Sequence, residues 1–553
     1  MTAAATTNPA RPGWLFGPAA DSLLGCGGLY LVLFALMATG AFGITTAWHA
    51  TFSPFLVLAV SVPHYGATLL RVYGTREDRH RYRLFALWGA VVVYGVYFLG
   101  LNVPTVGSWM LTVYMTWSPW HYSGQNFGVA MTFLRRAGAR VDGLPRRLLY
   151  ASYTLSFVVV ALAIHGAYGR PADYAIPGRS FGAFSFHALG LPTWVTSYGV
   201  PLALIGTFGC AAAAMWMLRG QLTPRQWIPP VMILTLQSIW FTIPFGLGHF
   251  GIVTGLPFID LATRDLLFTY IALGHATQYL WITSYFARRS RGWTGYGTYW
   301  LKAIAFGQIA LLVPTLLAVK TPLAGISYDS GVAALLITAL NLHHFILDGA
   351  IWKLRSGKIA SILLRGESTA PPPGEPPAWH RPVFAAGVGL LVGSAVLTTV
   401  TQVAGVQRNL RRDDPVAAAR ALDVLDWVGL DTSTDRLAVG RAFLHAGDTA
   451  AAKAQLERSL GLRELQRAWA ALAEVREAQG DTDGALAAYD RALSFGDRWI
   501  DGIKGGGLVA ARAGRNAEAV RRLRPLVAGG QADDETRDAY LRANRALAEA
   551  QPQ

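Results

Sequence analysis

The chain has 553 residues, 52% hydrophobic and only 15% charged, against about 25% charged in ordinary soluble proteins. That apolar load exceeds what one soluble core of this length buries and excludes a single water-soluble globule, so lipid is the expected solvent for most of the chain. The formal charge of +15 does not imply a nucleic-acid partner, because most basic residues sit in short loops between apolar segments, where membrane orientation places them.

Residues 1–20 read as a cytoplasmic tail. The first apolar run follows a single Arg and lacks a cleavage-like ending, so it is expected to be a retained helix rather than a signal peptide. Eleven segments are long enough for a span of about 20 residues, with cores at 21–43, 52–72, 84–103, 107–134, 148–167, 196–218, 228–252, 266–287, 301–319, 331–352 and 382–404. The first ten make a transmembrane bundle over 21–365. The seventh carries Pro229, Pro230 and Pro244 and is expected to kink or re-enter. Cys26 and Cys210 both lie inside apolar runs, which excludes a disulfide framework or a thiolate metal site.

Twenty Lys or Arg follow the even-numbered spans, whereas Arg170, Arg179, Arg264 and Lys320 follow the odd ones through the ninth. Basic loops are held in the cytoplasm during insertion. The N-terminus is therefore expected inside, in a multi-pass protein of a bacterial-type inner membrane. Residues 366–381 form a Pro-rich cytoplasmic linker. The span at 382–404 then carries the chain to the periplasm, or to the exterior of a single-membrane cell.

From about residue 410 the composition shifts to Ala, Arg, Asp, Glu and Leu, and a repeat begins. Gly447, Gly480 and Gly514 are 33 and 34 residues apart. Ala452, Ala485 and Ala519 follow at one fixed offset, and Leu456, Tyr489 and Leu523 at another. Over about residues 430–530 this resembles the tetratricopeptide (TPR) pattern, in which a Gly turn joins two helices and small residues let them pack closely. The resemblance implies an α-solenoid over 410–553 with a groove for a protein partner, its contacts expected around Tyr489, Leu456 and Leu523. An Ala-rich helical bundle without a binding function is the alternative. The fold class is all-α: a polytopic helical bundle of about eleven spans followed by a TPR-like solenoid.

Six of the twelve histidines lie in the spans beside other polar groups: His64, His121, His249, His275, His343 and His344. Polar groups in lipid are costly and need partners. Counted from the first basic residue at the cytoplasmic end, His64 is 7 residues in, His121 14, His275 13 and His343 10. These counts correspond to depths of about 10–21 Å. Four helices therefore carry His at broadly one level, while His249 lies nearer the outer end of its span. His80, His380 and His445 are expected to be solvent-exposed.

Companions occur at helical spacing. His121 has Gln125 at i+4, His275 has Gln278 at i+3 and Tyr279 at i+4, and His344 has Asp348 at i+4, so each pair shares a helix face. An imidazole oriented by a carboxylate or amide is the usual form of a metal ligand. It suits iron, copper or zinc. The six histidines are candidate ligands, with Gln125, Gln278, Tyr279 and Asp348 as orienting groups or additional ligands. Gly66, Gly124, Gly248, Gly274 and Gly349 would permit close helix approach or make room for a flat cofactor.

Single histidines scattered over several helices are similar in style to His-rich integral-membrane metal oxygenases, including the carotene-cleaving Brp/Blh type. Membrane hydroxylases and desaturases carry HxxxH and HxxHH clusters; here HH occurs once, at His343 and His344, and neither cluster is present. The run LHHFILDG superficially resembles the paired histidines of haem–copper oxidase subunit I, without that family's HPEVY segment. The likeness implies an iron centre, with haem or copper as alternatives. It also implies hydroxylation, desaturation or cleavage of a membrane lipid or other hydrophobic small molecule. Two other classes stay open: a non-enzymatic membrane-anchored TPR scaffold or assembly factor, and a transporter of protons or metal ions.

Overall fold

The computed structural model describes residues 13–38, 56–166, 180–181, 184–252, 264–290, 295–319, 333–352, 357–367, 401–427, 432–494 and 499–550, with a few isolated positions between. Among these the chain is almost wholly helical, with one small antiparallel pair of Ser180–Phe181 and Phe184–Ser185. In chain order the helices of the apolar region are α1 (Pro18–Gly25), α2 (Gly28–Leu36), α3 (Val62–Tyr73), α4 (Leu84–Asn102), α5 (Pro104–Arg136) and α6 (Leu144–Ile164). They continue with α7 (Thr193–Leu218), α8 (Pro224–His249), α9 (Arg264–Arg288), α10 (Tyr296–Val319) and α11 (Ala333–Ile351).

Five of these helices, α4, α6, α7, α8 and α11, are long and apolar enough to cross a membrane, or six if α1 and α2, bent by 64°, count as one broken span. The count of eleven is not reached among the described residues. The two helices that carry the most polar companions, α5 with His121, Gln125 and Asn126 and α9 with His275 and Gln278, are diluted in hydropathy by those groups. The Pro-rich linker and most of the segment at 382–404 lie outside the described residues.

Prolines do not break α8, which runs through Pro229 and Pro230 as one 26-residue helix. A π-type turn at Ser238–Thr242 precedes Pro244 and absorbs the lost backbone donor. The expected cytoplasmic tail is also not free along its described part. The buried Asp21 carboxylate accepts from the Phe16 N–H at 3.1 Å and from Trp281 Nε1 at 2.8 Å, which ties residues 14–21 to α9.

Helix α11 lies at the centre, with 72% of its apolar window buried, while α4 and α7 are peripheral at 28% each. Helix α7 exposes four large apolar side chains, Trp194, Leu202, Ile205 and Phe208. Helices α3 and α10 cross in backbone contact. A Cβ added at Gly66 would lie 1.7 Å from the Ala303 carbonyl oxygen, and one at Gly307 2.0 Å from the Val62 carbonyl oxygen. The two backbones touch, as small residues at a helix crossing allow. This contact presses the first turn of α3, with His64, into the bundle.

The C-terminal region is a run of antiparallel helices: α12 (Pro415–Trp427), α13 (Ser433–His445), α14 (Thr449–Leu462), α15 (Gln466–Ala478), α16 (Thr482–Leu493), α17 (Ile500–Arg512), α18 (Asn516–Ala528) and α19 (Asp534–Glu549). Gly447, Gly480 and Gly514 have φ of +81°, +80° and +71°. Each supplies the left-handed residue that ends one helix and opens the turn to the next. Asp448 and Asp481 then cap the following helix, accepting from Ala451 N at 2.9 Å and Gly484 N at 2.8 Å. The third turn has Arg515 at that place and no side-chain cap. Asp481→Ala should therefore cost about 1 kcal/mol, and Asp448→Ala a similar amount. Thermal unfolding of the full chain, followed through the C-terminal helices, checks both.

Leu456, Tyr489 and Leu523, expected at a groove, are instead buried between helices. Leu456 packs against Gly440 and Leu523 against Gly507. Arg436 is fully buried and donates to Asp423 at 2.8 Å, to Asp426, to Gln455 at 2.6 Å and to Thr432. Bridges from Arg512 to Glu477, Arg515 to Asp483 and Arg522 to Asp490 link the α17–α18 pair to the α15–α16 pair. His80 and His445 are exposed as expected, and His380 lies outside the described residues.

Candidate metal centre

Four imidazoles from four helices meet at one buried point. His64 lies in the first turn of α3, behind Pro63 and a π-type turn at Val57–Ser61. His121 lies two residues after Pro119 within α5, His275 midway along α9, and His344 on α11. Ring centroids are 4.2 Å apart for His64–His344, 5.0 Å for His64–His275, 4.9 Å for His121–His275 and 5.3 Å for His121–His344. Asp348, one turn after His344, reaches His344 Nε2 at 3.3 Å and His121 Nε2 at 3.7 Å.

Two overlapping sets of groups could hold a metal ion: His64, His275 and His344, and His121, His344 and Asp348. Within each set the ligand atoms lie within 4.8 Å of one another. Ligands of one ion with bonds of about 2.1 Å are at most about 4 Å apart, so each set is close to ligating distance. His344 belongs to both.

The nitrogens have no other use. His64 Nε2, His121 Nε2, His344 Nε2 and both nitrogens of His275 are buried without a hydrogen-bond partner. Each such group costs about 1–3 kcal/mol. An imidazole gives an ion one nitrogen, so a bound cation removes at most four of these five penalties, none of which apolar residues of the same volume would incur.

Tyr279, Thr68 and Trp352 orient the ring of donors. Tyr279 OH donates to Asp348 Oδ1 at 2.7 Å and accepts from Trp352 Nε1 at 3.2 Å. Thr68 Oγ1 lies 2.7 Å from Tyr279 OH and 3.0 Å from His344 Nδ1. These bonds fix the carboxylate and one face of the His344 imidazole, leaving its Nε2 toward the centre. Sequence reading missed Thr68 and Trp352, although both stand at i+4, Thr68 from His64 and Trp352 from Asp348, the spacing that identified the other pairs.

Two histidines lie elsewhere. The His343 ring packs 6.2 Å from Tyr94 on α4, because neighbours on a helix point about 100° apart and only one of the pair can face the centre. His249 ends α8 and packs against Phe250, with ring centroids 5.0 Å apart. Gln125 and Gln278 do not orient the imidazoles. Gln125 Nε2 donates to Gln278 Oε1 at 2.6 Å and to the His275 carbonyl at 3.2 Å, and Gln278 Nε2 donates to the Gly25 carbonyl at 2.8 Å. The pair holds α5, α9 and the break between α1 and α2 together beneath the site.

A cavity of about 340 Å³ opens onto His121 and Asp348, walled by Trp117, Trp120, Phe345 and Trp352. A second, of about 530 Å³, reaches His344 and Thr68 between α3, α4, α10 and α11. Comparisons with protein-family models, with curated proteins and with solved structures each found no match to this chain.

Proposed function

We propose that this chain is a membrane-embedded, metal-dependent oxidoreductase acting on a lipid-like substrate. The observation that carries the reading is the convergence of His64, His121, His275, His344 and Asp348 with five buried nitrogens lacking other partners. A non-enzymatic scaffold leaves that penalty uncompensated and ranks second for that reason.

Iron is the favoured metal. His121, His344 and Asp348 supply two imidazoles and one carboxylate, the donor composition of non-haem iron oxygenases. Ring centroids only 4.2–5.3 Å apart leave no space for a porphyrin between them, which favours a bare ion over haem. The cavities beside the site are mostly apolar and flank it at the depth of the apolar helices, so a hydrophobic molecule is the natural substrate, and hydroxylation, desaturation or cleavage the natural reaction class.

In the same reading the apolar region is a multi-pass inner-membrane bundle with its N-terminus in the cytoplasm. The C-terminal region is a TPR-like solenoid outside that recruits a protein partner. The left-handed Gly turns spaced as in TPR units, two of them followed by an Asp cap, support that assignment. Full-length protein purified in mild detergent should contain near-stoichiometric iron by elemental mass spectrometry and show no haem band. A metal-free, colourless preparation overturns the enzyme reading.

A further inference from the structure

The cavity beside His121 does not end at the metal centre. A further cavity of about 360 Å³, lined by Trp109, Thr112, Thr116 and Phe157 among others, shares Trp117 and Trp120 with it. Adjoining at these two residues, the cavities together line α5 over a stretch that includes Thr112 to Thr132, and we treat that stretch as one groove. Those residues are 20 positions apart on one helix, about 30 Å at 1.5 Å per residue and close to the thickness of a bilayer's hydrocarbon core. His121 stands partway along it.

Missing side chains make the half of the groove beyond His121. Gly124 and Gly128 on α5 and Gly349 on α11 line that half or border it, and a Cβ added at any of them would meet nothing within 4 Å. Gly124 is exposed, and Trp120 is 36% exposed, so the groove opens sideways, where lipid would lie. His121, whose side chain is nine-tenths buried, lines the groove wall. Among the described residues no Lys or Arg lines either cavity, so none of those side chains would bind a phosphate or carboxylate head. Flat aromatic walls and bare glycines suit a neutral chain.

We propose that this groove is a slot for one long apolar chain of the acyl or polyprenyl kind, which lies along α5 with its middle, not its end, at His121 and Asp348. The chain's reacting position rests on the metal-centre reading; its binding does not.

The test is photolabelling of full-length protein in phosphatidylcholine vesicles. In one arm the phospholipid carries a diazirine midway along an acyl chain. In the other the vesicles are doped with a polyprenyl alcohol bearing the same group, which separates the two sources of chain. Adducts are mapped by peptide mass spectrometry. They should concentrate on α5 between Thr112 and Thr132 and on Phe345, and Gly124→Leu should cut them about tenfold with metal content unchanged. Because binding is read without turnover, the same map should appear in metal-free His344→Ala protein, so a failed metal centre does not count against the slot. Adducts spread over the lipid-facing side of α7 at Leu202 and Ile205, or an α5 signal indifferent to Gly124→Leu, overturn the proposal. The wild-type map decides the matter if the variant does not fold.

Discussion

His344→Ala should strip the protein of its metal. His344 is the one side chain common to both candidate ligand sets, so its loss leaves two ligands on each side, and the remaining orphan nitrogens cannot close around an ion. Loss of an orienting neighbour typically lowers metal affinity about 10–100-fold. Loss of the shared ligand should exceed that and bring the metal found in purified protein to background. Tyr279→Phe, which removes the donor to Asp348 Oδ1, should fall within the 10–100-fold range. His343→Ala and His249→Ala serve as matched controls and should keep full stoichiometry, because one ring packs on Tyr94 and the other on Phe250. Elemental analysis of the four variants side by side gives the answer. Metal retained in His344→Ala, or lost equally in all four, contradicts the site.

Gly307→Leu should prevent the bundle from assembling. The atom that a new Cβ would strike, at 2.0 Å, is the carbonyl oxygen of Val62, which belongs to helix backbone and cannot rotate away. Helices α3 and α10 would have to separate. Overpacking where side chains can adjust already costs about 1–3 kcal/mol, and a backbone clash exceeds it. The expected result is loss of the monodisperse peak on detergent size-exclusion chromatography. Gly66→Ala should behave in the same way, since its Cβ would meet Ala303 O at 1.7 Å. Gly124→Ala, with open space around it, should leave the peak unchanged. The contrast separates glycines that let helices touch from glycines that leave room for a ligand, two roles that read identically in the chain.

Much of the centre was legible before any coordinates. Counting residues from the basic clusters at the span ends placed His64, His121, His275 and His343 at one depth and set His249 apart, and the bundle keeps that division except at the HH pair. There the depth count could not choose between adjacent residues, and facing decided for His344. The i+4 rule paired His344 with Asp348 correctly. Applied to Gln125 at i+4, and at i+3 to Gln278, the same-face rule put the amides on the right faces but with the wrong partners, since each bonds across helices or to backbone rather than to an imidazole. The span count was less legible. Composition over a window does not distinguish a lipid-facing helix from one whose polar residues face a centre, and α5 and α9 are of the second kind. In the C-terminal region the spacing of Gly447, Gly480 and Gly514 marked the turns correctly. It could not tell that Leu456, Tyr489 and Leu523 fill the seams between helices.

The chain alone determined the apolar class, the helical character, the repeated turns and which side chains share a helix face, because each depends on neighbours within a few residues and on a period of 3.6. Which faces meet was decided only in three dimensions. Two helices far apart in sequence touch where Gly66 and Gly307 lack side chains, and that contact places His64 beside His344. Convergence of donors is a property of helix crossings, whose geometry comes from packing between segments hundreds of residues apart, and no local pattern encodes it.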